Sequence, residues 1–288
     1  MNKNGKSIGG DEDVEELKAL LPLVKEFCYE AANVILAVYN KASGITVQQK
    51  IDLSPVTQAD LKAHQILYEN LSRLPVVEGD TAPVLSEEGD KPDYSVRKKW
   101  HTYWLIDPLD GTKEFLGKTG EFTINVALIH EHEPVLGLVY VPCQQLLYYA
   151  IKNEGAFKQE RNNAPCSIYS KPYAYNEPLS VLVSRRHPKS ELNALFLSSL
   201  IFDVTFVGSA LKMCWIAEAK ADCYPRLGPT SEWDTAAAQC ILREAGGEIL
   251  DFGGQPLRYN QKSSLLNPPF IAVGDPHFNW QSLFVQPA

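Results

Sequence analysis

Helix-like and strand-like patterns alternate along the 288 residues, which predicts an α/β (α+β) protein built in two halves. Three observations carry that expectation. An apolar stripe at helical spacing opens the chain, a block of closely spaced strand-like runs follows, and after about Tyr175 shorter strands alternate with helices.

Taken in order, Met1 to Gly10 is polar and glycine-containing and reads as a flexible tail. Leu17, Leu20, Leu21, Val24, Phe27, Cys28, Ala31, Val34, Ile35 and Val38 recur at steps of three and four, so an amphipathic helix covers most of residues 13 to 40. Its stripe faces either a core or a second subunit, which leaves a homodimer open. A second helix starts at Thr57 and carries Leu61, His64, Ile66, Leu67 and Leu71, with His64 in a structural role. Strand signals lie at Val84-Leu85, Tyr103–Ile106, Phe122–Ile129, Val135–Val141 and Leu146–Ile151, and predict a large, mainly antiparallel sheet. Asn162 to Pro178, rich in Pro, Tyr, Ser and Asn, is the expected connection between an N-terminal half over 11–175 and a C-terminal half over 176–288. In the second half Leu179–Val183, Val204–Val207, Ala221–Tyr224 and Glu248–Leu250 read as strands. Glu191–Leu200, Ala210–Ala219 and Thr235–Ala245 read as helices, the last closed by Gly246-Gly247.

Composition narrows the function classes. Lys plus Arg number 27 against 35 Asp plus Glu, and the net charge of −8 disfavours a nucleic-acid polymer as partner. A small anionic substrate remains compatible where basic side chains and cations reverse the local field. The six cysteines are scattered without a C-x-x-C pair, which excludes an evident zinc site and fits reduced thiols in the cytoplasm. Asp11, Glu12, Asp13, Glu15 and Glu16 precede the first apolar stretch, the wrong charge for a signal peptide. No apolar stretch approaches the roughly 18 residues that a membrane-spanning helix needs. The expected location is therefore the cytoplasm, with peripheral association at the inner face of the membrane left open.

Chemistry concentrates in Trp104-Leu-Ile-Asp107-Pro108-Leu109-Asp110-Gly111-Thr112, where an apolar run meets two aspartates, a proline, a glycine and a threonine. Pro108 cannot donate to a ladder, so the strand is expected to stop there and leave Asp107 and Asp110 on a sharp turn. Their carboxylates, with the Leu109 carbonyl between them, can converge on a hard cation. Gly111 permits close approach of an anion, and Thr112 adds a hydroxyl where a helix could begin. The plainer alternative is an Asx turn in which the aspartates bond nearby backbone N–H groups. Three other segments repeat the pattern of acids at element ends: Ser86-Glu87-Glu88-Gly89, Trp233-Asp234-Thr235 and Thr57-Gln58-Ala59-Asp60. Each also has a local explanation. Asp234 and Thr57 would serve as helix N-caps, Asp60 would complete a capping pattern, and Glu87-Glu88 would be a solvated loop.

Together and in this order, from about Thr57 to Asp251, the segments resemble the lithium-sensitive, magnesium-dependent phosphatase superfamily of inositol monophosphatases, fructose-1,6-bisphosphatases and 3'(2'),5'-bisphosphate nucleotidases. Ser86-Glu87-Glu88, Asp107–Phe115, Gly120-Glu-Phe-Thr-Ile-Asn125, Gly208-Ser-Ala-Leu-Lys212 and Tyr224–Thr230 are similar to the bacterial bisphosphate nucleotidase branch associated with sulfate assimilation. Ala210 departs from the serine more usual in that branch. The resemblance implies a layered αβαβα sandwich with the active site between the halves, and two or three Mg²⁺ ions. It places Glu87, Asp107 and the Leu109 carbonyl on the first ion and Asp107, Asp110 and Asp234 on the second, with Thr112 and Asp60 orienting and deprotonating the attacking water.

The same resemblance puts Glu87, Leu109, Asp110, Gly111, Thr112 and Asp234 against the cleaved phosphate, and His187, Ser209, Lys212 and Arg226 against the rest of a bisphosphorylated nucleotide. Ser184-Arg185-Arg186-His187 follows a strand, so its basic side chains could face the cleft; solvated surface charge is the alternative for Arg185, Arg186 and Lys212. The implied activity is hydrolysis of adenosine 3',5'-bisphosphate to AMP and phosphate, with 3'-phosphoadenylyl sulfate as a further substrate to test. An inositol or sugar phosphatase is the alternative within enzymes, and a non-catalytic metal or nucleotide sensor the alternative outside them.

Overall fold

The computed structural model describes residues 11–41, 47–49, 55–77, 79–175, 177–185 and 194–285. The tail at 1–10, Arg186 and His187 lie outside the described residues. Helix α1 (Asp11–Tyr39) is followed by a two-stranded ribbon of β1 (Val47–Gln49) and β2 (Pro55–Thr57), helix α2 (Gln58–Leu71), and a second ribbon of β3 (Pro75–Val77) and β4 (Asp80–Thr81). Then come β5 (Val84–Ser86), α3 (Tyr94–Arg97), β6 (Thr102–Asp110), α4 (Thr112–Leu116), β7 (Thr123–His130), β8 (Glu133–Val141), β9 (Leu146–Ile151), β10 (Gly155–Glu160) and β11 (Cys166–Ile168). The remainder comprises β12 (Leu179–Val183), β13 (Phe202–Phe206), α5 (Leu211–Ala217), β14 (Cys223–Arg226), α6 (Glu232–Glu244), β15 (Glu248–Asp251) and β16 (Phe270–Val273).

Two sheets organise these elements. A seven-stranded sheet runs β11-β10-β9-β8-β7-β6-β5, antiparallel except for the parallel β5–β6 edge, and a five-stranded sheet runs β13-β12-β14-β16-β15. The central strands β7 and β8 are buried on both faces, which explains their nearly continuous apolar runs. Trp104, Ile106, Val126, Leu128, Leu136 and Leu138 point to one face, where Leu17, Val24, Cys28 and Ile35 of α1 and Ala63 and Leu67 of α2 cover them. Leu105, Ala127, Ile129, Val139 and Tyr148 point to the other, against α5 and the alanine-rich face of α6. A one-residue slip of any of these strands would exchange the two faces, and each large side chain so exposed would cost about 1.5–3 kcal/mol. Leu182, Tyr224, Phe270 and Ala272 of the five-stranded sheet close the same core from beyond the helices. Leu179, Val181, Ile271 and Val273 face outward to Phe196, Trp280, Leu283 and Phe284. The result is the layered αβαβα order, and the stripe of α1 is spent on the core.

Four expectations need correction. β6 continues through Pro108 to Asp110, because a bulge between Asp107 and Asp110 removes the need for a proline N–H while Asp110 still pairs with Thr123. β11 lies inside the stretch expected to be connection, so the large sheet extends to Ile168. The helix expected over Glu191–Leu200 falls partly outside the described residues. Within them only Ala194-Leu195 is helical, since Phe196 bridges to Phe284 and packs its ring there. α6 begins at Glu232, not Thr235, which makes Ser231 the N-cap and moves Asp234 into the first turn. All six cysteines are unpaired, and among the described residues no helix is long and apolar enough to cross a membrane.

Candidate active site

The end of β6 supplies the centre. Asp107 is fully buried in the ladder opposite Asn125, and its Oδ1 accepts from Leu109 N at 3.0 Å, so the Asx-type contact exists within the bulge. Asp110 follows at the strand end, where Oδ2 accepts from Asn125 Nδ2 at 3.3 Å and from Ala210 N at 2.6 Å. Gly111 stands in the left-handed region at φ 92°, a conformation that suits a residue without Cβ, and turns the chain into α4. The parallel pairing of β5 with β6 brings Glu87 N to Ile106 O at 3.1 Å, which sets the Glu87 carboxylate beside Asp107.

Helix starts bring the remaining acids. Thr57 caps α2 through its hydroxyl, which accepts from Ala59 N at 3.1 Å, while Asp60 Oδ2 accepts from Thr57 N at 2.9 Å and Thr57 Oγ1 at 2.6 Å. Asp60 Oδ1 remains for the Thr112 hydroxyl, which donates to it over 3.3 Å. In α6 the Ser231 N–H donates to Asp234 Oδ2 at 2.8 Å, fixing that carboxylate toward β6. Carboxylate oxygens of Asp107, Asp110 and Asp234 lie within 4.8 Å of one another.

So many acids together are costly. Burial, with Glu87, Asp110 and Asp234 nearby, pushes the Asp107 carboxyl well above the usual carboxylate range, and burial and Asp110 do the same to Asp234. Asp110 is pushed up to about 6 by burial, moderated by Lys212 and by the bonds from Asn125 and Ala210. A divalent cation would relieve this arrangement, and an all-oxygen donor set fits a hard ion. Asp60 is also raised by burial, although the Thr57 bonds oppose the shift.

A cavity of about 220 Å³ opens beside Asp110, Gly111 and Asp234. Cationic and hydroxyl side chains share its lining: Ser184, Arg185, Ser209, Lys212, Tyr224 and Arg226. Lys212 is buried, with Nζ donating to Ser209 O at 2.6 Å and Val207 O at 3.4 Å and standing 5.0 Å from the Tyr224 ring, so it is not solvated surface charge. Arg226 extends from β14 and donates through Nη1 to Ser184 Oγ and through Nη2 to Pro229 O. Its buried Nε has no protein partner.

The profile of the inositol monophosphatase family matches residues 16–278. The chain belongs to the inositol monophosphatase family. The 3'(2'),5'-bisphosphate nucleotidase CysQ of Salmonella typhimurium is 42% identical over 252 residues, covering 87% of this chain and 98% of that protein. The protein of the same description from Haemophilus influenzae is 36% identical over 266 residues, covering 92% and 96%. Among solved structures, CysQ from Bacteroides thetaiotaomicron aligns with a TM-score of 0.70 at 36% identity over 86% of this chain and 94% of that one. SuhB from Bartonella henselae shares the fold, with a TM-score of 0.72 at 24% identity over 90% and 95%. Enzymes of the inositol monophosphatase family are metal-dependent, and the acid cluster of this member is of the kind such dependence requires.

Several residues of this family member that support the acids were not among the site residues that the sequence singled out. Asn125, buried in β7, bonds Asp110 and receives the Thr123 hydroxyl at 2.9 Å; a polar residue inside an apolar strand was its signal. His64 Nδ1 hydrogen-bonds with Ser86 Oγ at 2.8 Å, so its structural role is to brace the segment that carries Glu87. Lys91 donates to the carbonyls of Glu87 and Gly89 and stands 5.3 Å from the Trp233 ring, tying that loop to the start of α6.

Proposed function

We propose that this protein is a Mg²⁺-dependent 3'(2'),5'-bisphosphate nucleotidase that hydrolyses adenosine 3',5'-bisphosphate to AMP and phosphate, in sulfur assimilation and nucleotide recycling. The observation that carries the reading is one cavity lined both by the acids Asp110 and Asp234 and by the cations Arg185, Lys212 and Arg226. A substrate with a second phosphate beside the cleaved one matches that number of cations; inositol 1-phosphate, with one phosphate, leaves part of them unused. The relatives described as bisphosphate nucleotidases support the same choice.

Glu87, Asp107, Asp110, Asp234 and the Leu109 carbonyl would hold two or three ions. When bound, Mg²⁺ supplies the positive charge that makes a water acidic and a leaving oxyanion stable. The chain's own residues manage the proton. Thr112 Oγ1 donates to Asp60 Oδ1 and so turns a lone pair outward to the attacking water; as the P–O bond forms, the water's proton passes to Thr112 and the Thr112 proton to Asp60. The raised pKa of Asp60 suits that acceptance. In-line attack breaks the bond between phosphorus and the ribose oxygen. Lys212, Arg226, Ser209 and Gly111 orient the substrate.

The test is phosphate release in Mg²⁺ from adenosine 3',5'-bisphosphate, 3'-phosphoadenylyl sulfate, inositol 1-phosphate and fructose 1,6-bisphosphate, each with and without lithium. A lithium-sensitive preference of about a hundredfold for the nucleotide, some 2.7 kcal/mol in transition-state binding, is expected. Preference for inositol or sugar phosphate refutes the nucleotide assignment, and no turnover of any refutes the enzyme.

A further inference from the structure

Glu121 belongs to the Gly120–Asn125 segment and has no part in the chemistry above. Its carboxylate crosses from the loop before β7 to the ends of β12 and β13. Oε2 accepts from Gly208 N at 2.8 Å and from Arg185 Nε at 3.0 Å, and Oε1 accepts from Arg185 Nη2. The Glu121 side chain is 19% exposed and that of Arg185 40%, so the carboxylate is sheltered while the guanidinium reaches solvent, and the pair is planar and two-pronged. Gly208 fits this approach because a Cβ there would lie 2.7 Å from Glu121 O and 2.7 Å from Glu114 Cγ.

The turn after Gly208 carries part of the cationic lining. Ser209 is left-handed at φ 49°, Ala210 N donates to Asp110 Oδ2 at 2.6 Å, and Lys212 Nζ donates to Ser209 O at 2.6 Å. Two carboxylates therefore pin this turn to the seven-stranded side. One of them, Asp110, also belongs to the acid cluster; Glu121 does not. Arg185 lines the cavity itself.

We propose that Glu121 is a positioning residue that fixes the cationic lining of the cavity, holding the Arg185 guanidinium and the Gly208–Lys212 turn where the uncleaved phosphate of the substrate binds. The inference rests on the bisphosphate reading for its kinetic consequence. It does so because a turn held in place for only a fraction of the time raises KM by the inverse of that fraction, while Asp107, Asp110 and Asp234 keep their bonds from Leu109 N, Asn125 and Ser231 N, so kcat is retained.

Glu121→Ala and Glu121→Gln test it. The Gln amide oxygen still accepts from Gly208 N–H, so it restores the turn without the ion pair. Expected for E121A is a rise of about tenfold or more in KM for adenosine 3',5'-bisphosphate, with kcat and the KM for inositol 1-phosphate within about threefold, and E121Q recovers most of the loss. Hydrogen exchange across residues 207–213 of the free protein, faster in E121A and slowed again in E121Q, reads the latch without substrate. Unchanged exchange in an E121A protein that melts like wild type overturns the proposal, as does a fall in kcat on both substrates. Should E121A not fold, E121Q carries the comparison: a wild-type KM with intermediate exchange supports the latch, and wild-type exchange overturns it. Wild-type protein without preference for the bisphosphate refutes the functional reading instead, and exchange alone then decides the latch.

Discussion

Replacing Lys212 by methionine isolates charge from packing. The residue is 4% exposed in the first turn of α5, so an unbranched apolar substitute of similar length keeps the packing. The lost charge is what the reaction would feel. Nζ is held by Ser209 O at 2.6 Å and Val207 O at 3.4 Å, which leaves one of its three hydrogens for an anion in the cavity. A hydrogen bond from a charged donor to phosphate contributes about 1.5–3 kcal/mol, or about 10- to 150-fold in kcat/KM. Lys212→Met is therefore expected to lose that factor on adenosine 3',5'-bisphosphate, mainly in KM, and to stay within about threefold of wild type on inositol 1-phosphate. Initial rates on both substrates at saturating Mg²⁺ measure it. Equal losses on the two would place Lys212 at the cleaved phosphate and refute its part in holding a second one.

Asp110→Asn should reduce Mg²⁺-dependent phosphate release by at least about 100-fold while leaving the metal-free protein as stable as wild type or more so, because one of three crowded carboxylates is gone; full turnover would exclude the assigned metal chemistry. Thr112→Val should lower kcat by about 10²- to 10⁴-fold with the Mg²⁺ half-saturation unchanged, and a shift in half-saturation instead would make Thr112 a metal-site residue, not a proton relay. The Asp110 carboxyl titrates near 6 in the folded chain against an ordinary 3.8, so across that window the native state binds the extra proton and metal-free stability falls as pH rises through about 6. A Mg²⁺ ion held there would displace that proton, so the gain in Tm on adding Mg²⁺ should grow between about pH 5 and about pH 8; a gain that shrinks would contradict it.

What was legible in the sequence was whatever repeats locally. The stripe of α1 has a period that reports its face, the cap of α2 is marked by its residue types, and the apolar runs of β7, β8 and β9 mark strands buried on both faces. Short elements did not. β10 has one buried and several half-exposed positions, and β16 is four apolar residues long, so neither has enough periodicity to separate a strand from a loop. Pro108 misled for a different reason: a proline ends a regular ladder, but a bulge accommodates it, and a bulge leaves no mark in residue type. The supports of the site were illegible because they act across the fold. His64 meets Ser86 and Glu121 meets Gly208 only after α2, β5 and β13 have packed, and no spacing along the chain encodes those contacts.

Asp60 and Asp234 show why helix-cap and catalytic explanations of one acid need not compete. Each stands at the third helical position and gives Oδ2 to the N–H of its cap residue, Thr57 or Ser231. That bond fixes the carboxylate plane and stabilises the helix start by about 1 kcal/mol. It leaves Oδ1 of Asp60 to the Thr112 hydroxyl, and it anchors the Asp234 carboxylate within 4.8 Å of those of Asp107 and Asp110. A freely rotating carboxylate would lose side-chain entropy when drawn into a cluster of like charges; one already tethered has lost it on folding. The capping box therefore preorganises the acids for chemistry. Removing the tethering N–H, not the cap side chain, should loosen the site: Ser231→Ala keeps the N–H that Asp234 accepts and is expected to leave Mg²⁺ half-saturation nearly unchanged, whereas Ser231→Pro removes that N–H and should raise it several-fold, about 10-fold by analogy with other outer supports of metal ligands. Titration of activity against Mg²⁺ separates the two variants, and equal half-saturation in both would refute the tether.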